Sequence, residues 1–403
     1  MVNLNPLTVL CIASFEKGVE FIRQCKNEKC RVILITSQSL ENADWPRESI
    51  DEIFYIPDID NQWNIQDVIY AVGYLARTEN IDTIIPLNEC DIEIVKQLNE
   101  HFQFQGVYNK KFNDKLIQRI HFDKIGILIP AFIHALNYNK IDAFSKKIPF
   151  PYVIKPRYKN TIYNIKKVFN VDELWEVVNR LGDHLSYYII EQFVAGSIYH
   201  VDSLIRNGKI EFAHTSQYGQ SANETPHQGR VFTTRTMLRG TVDEQTLLLL
   251  NKQALNSVEL KTGVSHIKFI KADLDGRFYL LEVLPHVAET YVSDLIFASG
   301  GINLWIEWAK LITRDDKTYI LPQVENNYAG LLLSVTNQEW PNLDEYTAPE
   351  IIWKLDKKNN AGLIIVSENY NRITELMKEY TKKFYIDFFA SYPVEEIKIE
   401  DKR

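Results

Sequence analysis

The sequence predicts a mixed α/β and α+β fold in which a parallel sheet comes first and antiparallel hairpins follow. In the first hundred residues, apolar runs typical of strands alternate with amphipathic runs typical of helices, which favours a parallel sheet with helices on both faces. Later strand-like runs meet at Asn207-Gly208 and Asp275-Gly276, and these dipeptides are hairpin turn signals. At 403 residues the chain is long enough for about two to four domains.

The elements of the N-terminal region follow from this alternation. Strands are predicted for "LTVLCIASF", "CRVILITSQ", "IDEIFYIPD" and "IDTIIPLN", and helices for "EKGVEFIRQCKN" and "IQDVIYAVGYLARTEN". The turn after the first strand, "ASFEKG", lacks the GxGxxG fingerprint of dinucleotide-binding domains. The region therefore has a Rossmann-like architecture, and a nicotinamide-dependent dehydrogenase is disfavoured.

The pattern changes from Phe112 onward. A helix is predicted for "FNDKLIQRIHFDKIGILIP" up to its Gly-Ile-x-x-Pro turn, and a buried strand for "PFPYVIKPR". The segments "YYIIEQFVAGSIYHVDSLIRNGKI" and "SHIKFIKADLDGRFYLLEVLP" each predict a hairpin, with a helix over 243–261 between them. After the linker "RDDKTYILPQVENN", two more strands, "YAGLLLSV" and "AGLIIVS", precede a last helix near 370–384.

The composition of the chain argues against several classes of binding partner. The net charge of −8 argues against general binding to nucleic acid or anionic membrane, and no apolar run approaches the roughly 20 residues of a membrane span. The N-terminus has no basic n-region, so its apolar run is better explained by a core strand than by a signal peptide. The four cysteines (Cys11, Cys25, Cys30 and Cys90) form no CxxC pair, which argues against zinc and indicates reduced thiols. We expect a cytoplasmic protein, with a homodimer as a possible assembly.

Four segments, in this order, are similar to conserved parts of one superfamily. They are "NDKLIQRIHFDKIGILIP", "YVIKP", "YIIEQFVAG" and "DGRFYLLEV". The chain thereby resembles the ATP-grasp superfamily, in the branch with a preceding Rossmann-like domain that includes biotin carboxylase and carbamoyl-phosphate synthetase. The resemblance runs from about residue 7 to about residue 386, nearly the whole chain.

The resemblance implies that the chain is divided into four parts. Residues 1–108 would form the Rossmann-like domain and residues 109–187 the first ATP-grasp lobe. Residues 188–314 would form the second lobe with the hinge and the metal-binding strand, and residues 315–403 a small C-terminal α+β subdomain.

The resemblance also implies a nucleotide site for ATP and Mg²⁺. ATP needs cations on its phosphates, which Lys115 and Lys155 would supply, and Mg²⁺ needs carboxylate oxygens, which Glu282 would supply. The adenine edge would meet the hinge formed by Glu191, Gln192, Phe193 and Val194. On the residues alone, Lys155 is equally explained as a solvated lysine at a strand end, and the hinge segment as an ordinary strand end. An inward-facing Glu282 requires a partner cation, either Mg²⁺ or a lysine.

Three departures from the superfamily pattern concern this same site. The loop after Lys155 lacks glycines, the usual His-x-Glu is His266-Ile267-Lys268, and the stretch after Glu282 reads Leu284-Pro285-His286. If Lys268 pointed at a metal about 4 Å away, the repulsion at an effective dielectric of 20 would be roughly 8 kcal/mol. Lys268 would then contact the γ-phosphate or a substrate carboxylate instead, with one Mg²⁺ held by Glu282 and Asp273.

Two interpretations are open for each of the further basic residues. Lys159, Lys166 and Lys167 either clamp the triphosphate or form a solvated basic face. Arg230 and Arg235 either bind a carboxylate substrate, which suits the planar guanidinium, or make surface salt bridges.

The function implied by the resemblance is that of an ATP-dependent carboxylate–amine (or carboxylate–thiol) ligase that forms an acyl phosphate. Its substrates would be a small-molecule carboxylate and an amine, with Arg230, Arg235, Lys268 and His286 at the acid substrate or the transferred phosphate. The alternative is an ATP-grasp-like protein that binds a nucleotide or small molecule without turnover.

Overall fold

The computed structural model of the chain describes residues 6–59, 62–104, 114–158, 165–221, 231–314 and 319–388. The helices of these residues, numbered in chain order, are α1 (Val19–Asn27), α2 (Ile65–Leu75), α3 (Ile92–Phe102), α4 (Lys115–Lys124), α5 (Tyr138–Lys147), α6 (Val171–Leu181), α7 (Val242–Val258), α8 (Val292–Gly300), α9 (Leu304–Thr313) and α10 (Tyr370–Asp387). None of these helices combines the length and the apolar character needed to cross a membrane.

The strands of the described residues form three larger sheets and one two-stranded ribbon. They are β1 (Thr8–Ala13), β2 (Arg31–Ser37), β3 (Glu52–Ile56), β4 (Asp58–Ile59), β5 (Gln62–Trp63), β6 (Thr83–Pro86), β7 (Phe132–His134), β8 (Tyr152–Pro156), β9 (Lys166–Val168), β10 (Tyr188–Gln192), β11 (Gly196–Arg206), β12 (Lys209–Ser221), β13 (Phe232–Thr236), β14 (Gly263–Ala272), β15 (Phe278–Leu284), β16 (Tyr328–Val335), β17 (Ile351–Lys354) and β18 (Asn360–Ser367).

The N-terminal sheet is parallel, with the strand order β3-β2-β1-β6. All six residues of β1 are buried because both faces of the sheet are covered. Leu10 and Ile12 pack with residues of α2 and α3, whereas Val9 and Cys11 pack in a core shared with α1 and α9. The predicted fold class, a parallel sheet followed by antiparallel sheets, is confirmed.

A smaller antiparallel sheet follows, with the order β7-β10-β8-β9. It has its own core, built from α5, α6 and the inner faces of its strands. Strand β10 lies between β7 and β8, so residues 188–192 pair with strands of the first lobe. The sequence predicted that the second lobe begins at residue 188. In the structure the chain leaves the small sheet only after Gln192.

The large sheet has eight strands in the order β15-β14-β11-β12-β13-β16-β18-β17. Strand β13 pairs with β16, so the C-terminal strands continue the sheet of the second lobe. Residues 328–367 therefore extend this sheet, and they lie within residues 315–403, for which the sequence predicted a small C-terminal α+β subdomain.

The two faces of the large sheet differ in what they carry. On β11 and β14, Val201, Ile267 and Phe269 pack under α7 in one core. The alternate positions, including His266 and Lys268, face the other way because strand side chains alternate. Helix α4 is attached to β15 by Gln118, whose amide donates to the carbonyl of Val283 at 2.9 Å and accepts its N–H at 3.3 Å.

Candidate active site

Six charged side chains meet where α4 lies across the small sheet and the edge of the large one. Two come from α4, one each from β8, β10, β14 and β15, and together we call them the charged cluster: Lys115, Arg119, Lys155, Glu191, Lys268 and Glu282. Lys115 and Arg119 are four residues apart and therefore lie on the same face of the helix. The structure thus brings together the predicted Lys115, Lys155, Lys268, Glu191 and Glu282.

Glu191 is the buried centre of the first half of this cluster. Its carboxylate contacts Arg119 Nε at 2.7 Å and Lys155 Nζ at 2.6 Å, and its side chain is 4% exposed. Arg119 also donates to the carbonyl of Leu281 at 2.6 Å. Burial opposes the ionisation of Glu191, but Arg119 and Lys155 outweigh it and lower the pKa of the carboxyl. Burial lowers the pKa of Lys155, and Glu191 restores it only in part.

Glu282 is the centre of the second half of the charged cluster, and its contacts with cations are longer than those of Glu191. Lys268 lies directly opposite it in the strand register, with Nζ 3.5 Å from one carboxylate oxygen. Lys115 Nζ lies 3.7 Å from the other oxygen. Burial works against the Lys268 ammonium, but Glu282, followed by Glu89, outweighs it and raises the pKa of Lys268. Lys268 is therefore charged at neutral pH.

Within the charged cluster itself, four cations face two carboxylates, and Glu89 and Glu289 add negative charge near Lys268. The ammonium groups are hydrogen-bond donors that suit the oxygens of a polyphosphate or a carboxylate.

The described residues do not fit the Mg²⁺ site that the superfamily implies. Both oxygens of Glu282 face ammonium groups, and a divalent cation there would be repelled by Lys115 and Lys268. The group of three potential metal ligands found among the described residues lies elsewhere, at His200, Asp202 and His266.

Asp273, predicted to hold a metal together with Glu282, lies at the far end of the hairpin from Glu282. Asp273 lies in the β14–β15 turn, exposed, and its N–H donates to the carbonyl of Ala195 at 2.9 Å. It is five residues beyond Lys268, which at the rise of a strand corresponds to about 16 Å. The hairpin therefore carries Asp273 away from Glu282.

Arg235, predicted to bind the acid substrate, lies on the face of the large sheet away from the charged cluster. Its neighbours Thr234 and Thr236 face the side of the large sheet that carries His200 and His214, so Arg235 faces the opposite side. There it donates to Thr374 Oγ1 at 2.5 Å and its guanidinium lies 5.2 Å from the Tyr370 ring centroid.

His286, predicted at the acid substrate or the transferred phosphate, is buried beside two tryptophans. It is 2% exposed, and its ring packs edge-on to Trp305 and Trp308 at centroid distances of 5.5 and 6.0 Å. Its Nδ1 donates to the carbonyl of Val287 at 2.6 Å. Arg230 and Lys159, for which roles were also predicted, lie outside the described residues.

The predicted hinge connects the small sheet with the large one. The N–H groups of Gln192 and Phe193 donate to Ala131 and Pro151 at 2.8 and 2.9 Å, so these two donors serve the small sheet instead of adenine. Within the described part of the chain, the N–H of Val194 has no such acceptor. The ammonium of Lys167 lies 3.4 Å from the Phe193 ring centroid, a cation–π contact that places this lysine at the hinge.

A buried polar network on the large sheet was missed by the sequence analysis. Asp202 accepts hydrogen bonds from Nδ1 of His200 at 2.6 Å and from Nδ1 of His266 at 2.8 Å. His200 Nε2 contacts Thr234 Oγ1 at 2.9 Å, and His266 Nε2 contacts the Tyr218 hydroxyl at 3.4 Å. Both Asp202 oxygens are thus satisfied by imidazole N–H groups without a metal. The signal available in the sequence was the i, i+2 spacing of His200 and Asp202.

Comparisons with known proteins agree on the fold. No family model matches the chain. It is 19% identical over 363 residues to the L-arginine-specific L-amino acid ligase of Bacillus subtilis, which covers 83% of this chain and 86% of that protein. The crystal structure of an L-amino acid ligase from Bacillus licheniformis has a TM-score of 0.76 at 14% identity, covering 96% of this chain and 99% of that chain.

A second solved structure is a Staphylococcus aureus N5-carboxyaminoimidazole synthetase complexed with ADP. It has a TM-score of 0.69 at 15% identity and covers 94% of this chain and 98% of that chain. At these levels of identity, the likeness shows the fold of the chain.

Proposed function

We propose, because the chain has the ATP-grasp fold with a preceding Rossmann-like domain, that it is an ATP-dependent ligase joining a carboxylate to an amine. The observation that carries this proposal is the charged cluster, in which three lysines and one arginine surround two carboxylates at the junction of the sheets. The likeness to L-amino acid ligases supports an amino acid as one substrate.

The proposed reaction has two steps. A carboxylate oxygen of the substrate attacks the γ-phosphorus of ATP, and the bond from that phosphorus to the bridging oxygen breaks as ADP leaves. The amine nitrogen then attacks the carbonyl carbon of the acyl phosphate, the C–O bond to phosphate breaks, and the proton lost by the nitrogen is taken up by the departing phosphate. The protein's part is positioning and charge stabilisation.

The lysines of the charged cluster take separate roles in these steps. Lys155, which Glu191 holds in place, and Lys115 contact the phosphates of ATP. Lys268 turns from Glu282 to the γ-phosphate and stabilises the charge on the phosphoryl group during transfer. Because the described residues do not fit Mg²⁺, no step depends on a metal ion. At the hinge, the N–H of Val194 is the donor available to adenine.

A second candidate function is nucleotide binding without turnover. It is favoured by one observation, the pairing of Lys268 with Glu282, which neutralises the carboxylate that would otherwise hold a metal. In this case Lys268 stays on Glu282 when ATP is bound.

Release of ADP distinguishes the two functions. The purified protein is incubated with ATP and with single amino acids or other small carboxylates, each with and without an amine, in the presence and absence of Mg²⁺. We expect ADP release that depends on the carboxylate and product formation that depends on the amine. ATP binding measured by calorimetry, with no ADP release for any pair, would support the binding protein instead.

A matched pair of variants connects this activity to the charged cluster. Lys155→Ala is expected to weaken ATP binding by roughly 1.5–3 kcal/mol, the value of a charge-assisted hydrogen bond. Lys146→Ala removes a surface lysine that pairs with Asp142 and should leave ATP binding unchanged. Equal affinities for the two variants would remove Lys155 from the nucleotide site.

A further inference from the structure

Asp114 and Arg157 form an ion pair where α4 meets the small sheet, and the proposed steps give this pair no role. Asp114 directly precedes α4, and Arg157 directly follows β8. Arg157 Nη2 lies 2.5 Å from one carboxylate oxygen of Asp114, and its Nε lies 3.2 Å from the other. The side chain of Asp114 is 4% exposed and that of Arg157 is 20% exposed. A shielded, two-point contact of this kind holds its partners in one arrangement.

Each member of the pair lies next to a lysine of the charged cluster. Lys115 follows Asp114 directly, and Lys155 precedes Arg157 by two positions. The backbone joins the same two elements, because the N–H of Lys115 donates to the carbonyl of Arg157 at 2.9 Å. The ion pair and this hydrogen bond therefore fix the start of α4 against the end of β8, and with them the backbone positions from which the two lysine side chains extend.

Arg157 is also attached to the rest of the small sheet. Its N–H donates to the carbonyl of Tyr187 at 2.8 Å, and its Nη1 donates to the carbonyl of Ser186 at 3.3 Å. A guanidinium is planar and carries five N–H donors, so one side chain can hold the segment before β10 and Asp114 at the same time. Arg157 thus connects the small sheet to the start of α4.

The backbone donors at the start of α4 are occupied by the same two residues. The N–H groups of Leu116 and Ile117 donate to Asp114 Oδ1 at 2.9 and 3.4 Å, and that of Lys115 donates to Arg157. A helix N-terminus can bind phosphate through such N–H groups, but these three serve the protein itself. Contacts of this region with phosphate therefore come from side chains, and they depend on where the lysines are held.

We infer that Asp114 and Arg157 are positioning residues for ATP, which hold Lys115 and Lys155 at the separation that the phosphates require. The inference rests on the proposed function, which assigns both lysines to the phosphates of ATP. Asp114 and Arg157 act through the two lysines and do not contact the nucleotide. The competing model is that Arg157 leaves Asp114 and binds a phosphate directly, since a guanidinium is itself a good phosphate ligand.

A double-mutant cycle separates the two models. Its variants are Asp114→Asn, Arg157→Gln and the two together. Asparagine caps a helix as well as aspartate does, so Asp114→Asn removes the charge of the pair and keeps the N-cap of α4. The matched control is Arg372→Gln, which breaks a similar two-point ion pair with Glu350, at 2.6 and 3.3 Å, that joins α10 to the residue before β17. Calorimetry measures the Kd for ATP, and urea unfolding measures the change in the free energy of unfolding.

For Asp114→Asn and for Arg157→Gln we expect the Kd for ATP to rise about tenfold, and the double variant should bind ATP no more weakly than either single variant. In turnover, the KM for ATP should rise by the same factor while the KM for the carboxylate stays at the parent value. Arg372→Gln should be destabilised as Arg157→Gln is, and should keep the parent Kd for ATP.

An unchanged or lower Kd for ATP in Asp114→Asn would overturn the inference, because a released Arg157 would then bind ATP directly. An equal loss of ATP affinity in Arg372→Gln would also overturn it, because general destabilisation would then be the cause. If the parent binds ATP but releases no ADP with any carboxylate, the proposed ligase function fails and the cycle still tests the pair. If the parent does not bind ATP, both fail.

Discussion

The two carboxylates of the charged cluster, Glu191 and Glu282, each face two cations, but they face them in different ways. Glu191 contacts Arg119 and Lys155 at 2.7 and 2.6 Å, and its side chain is 4% exposed. Glu282 lies 3.5 and 3.7 Å from Lys268 and Lys115, and its side chain is 14% exposed. Short contacts in a closed position indicate a structural ion pair, whereas longer contacts in an open position leave the cations available for a ligand.

Side-chain chemistry explains this difference. Arg119 has a rigid, planar guanidinium that is held at a second point by the carbonyl of Leu281. The partners of Glu282 are both lysines, whose flexible chains can carry the ammonium to a new anion. Under the proposed function, the half of the cluster at Glu191 would maintain the arrangement, and the half at Glu282 would exchange partners during binding.

The largest effect is expected from Glu191→Gln. It would leave Arg119 and Lys155 as buried cations without a carboxylate, and loss of one partner from a buried ion pair destabilises by about 3–5 kcal/mol. Urea unfolding measures the change in the free energy of unfolding.

Glu282→Gln is the matched comparison for that experiment. Because Lys115 and Lys268 can turn toward solvent, we expect a loss of about 1 kcal/mol or less. Equal losses for the two variants would show that the distinction between a closed and an open half is wrong.

An intermediate effect is expected from Lys268→Glu, which restores the His-x-Glu of the superfamily. Without Mg²⁺, the variant should bind ATP about tenfold more weakly or worse, because an attractive charge becomes a repulsive one, while the parent binds ATP equally with and without Mg²⁺. Turnover should be lost. Calorimetry with and without Mg²⁺, together with ADP release, measures both.

Lys271→Glu serves as the control for that variant, since Lys271 lies on the same strand and pairs with Asp243 at 2.6 Å, away from Glu282. It should leave ATP binding and its metal dependence unchanged. If Lys268→Glu instead gained activity over the parent, the protein would be a binding protein whose lysine blocks a metal site.

The last effect depends on pH and concerns Asp91, a buried carboxyl of the Rossmann-like domain that accepts the N–H of Ser14 at 3.0 Å. Burial raises the pKa of Asp91 to about 7. The pKa of Asp91 in the folded protein lies above its ordinary value near 4. The stability that Asp91 contributes is therefore complete below pH 4 and is lost as the pH rises through 7.

Asp91→Asn should remove this pH dependence of the free energy of unfolding. We expect the variant to gain about 2–3 kcal/mol relative to the parent between pH 5 and pH 8, measured by urea unfolding at the two pH values. Asp44→Asn, at an exposed position, should show no such gain. A constant difference between Asp91→Asn and the parent at both pH values would mean that Asp91 does not titrate in this range.

The sequence predicted the strands and the residues that the register brings together. Lys268 and Glu282 flank one hairpin turn, so their pairing follows from the turn position, and Lys155 was found from the strand that ends in Lys-Pro. The turn at Asn207-Gly208 was found for the same local reason.

The sequence could not predict contacts that depend on which sheet face a strand presents. Arg235 is one residue from Thr234 and Thr236, and a shift of one position would have placed it on the sheet face that carries His200 and His214. The network of Asp202, His266 and Tyr218 joins three strands, and its members come together only after the sheet order is known.

The shared core of the Rossmann-like domain and the large sheet has a mechanical consequence. Residues of β1 and α1, such as Val9 and Phe21, belong to the same core as Val264 of β14 and Trp308 of α9. The small four-stranded sheet has a separate core of its own. Two regions with one core move as a rigid body, so opening and closing over a ligand would fall to the small sheet, swinging about the chain after Gln192 and about α4. The rate at which product escapes would then depend on how readily that swing breaks the contacts of Glu191 with Arg119 and of Arg157 with Asp114, since both join the small sheet to α4 and its N-cap.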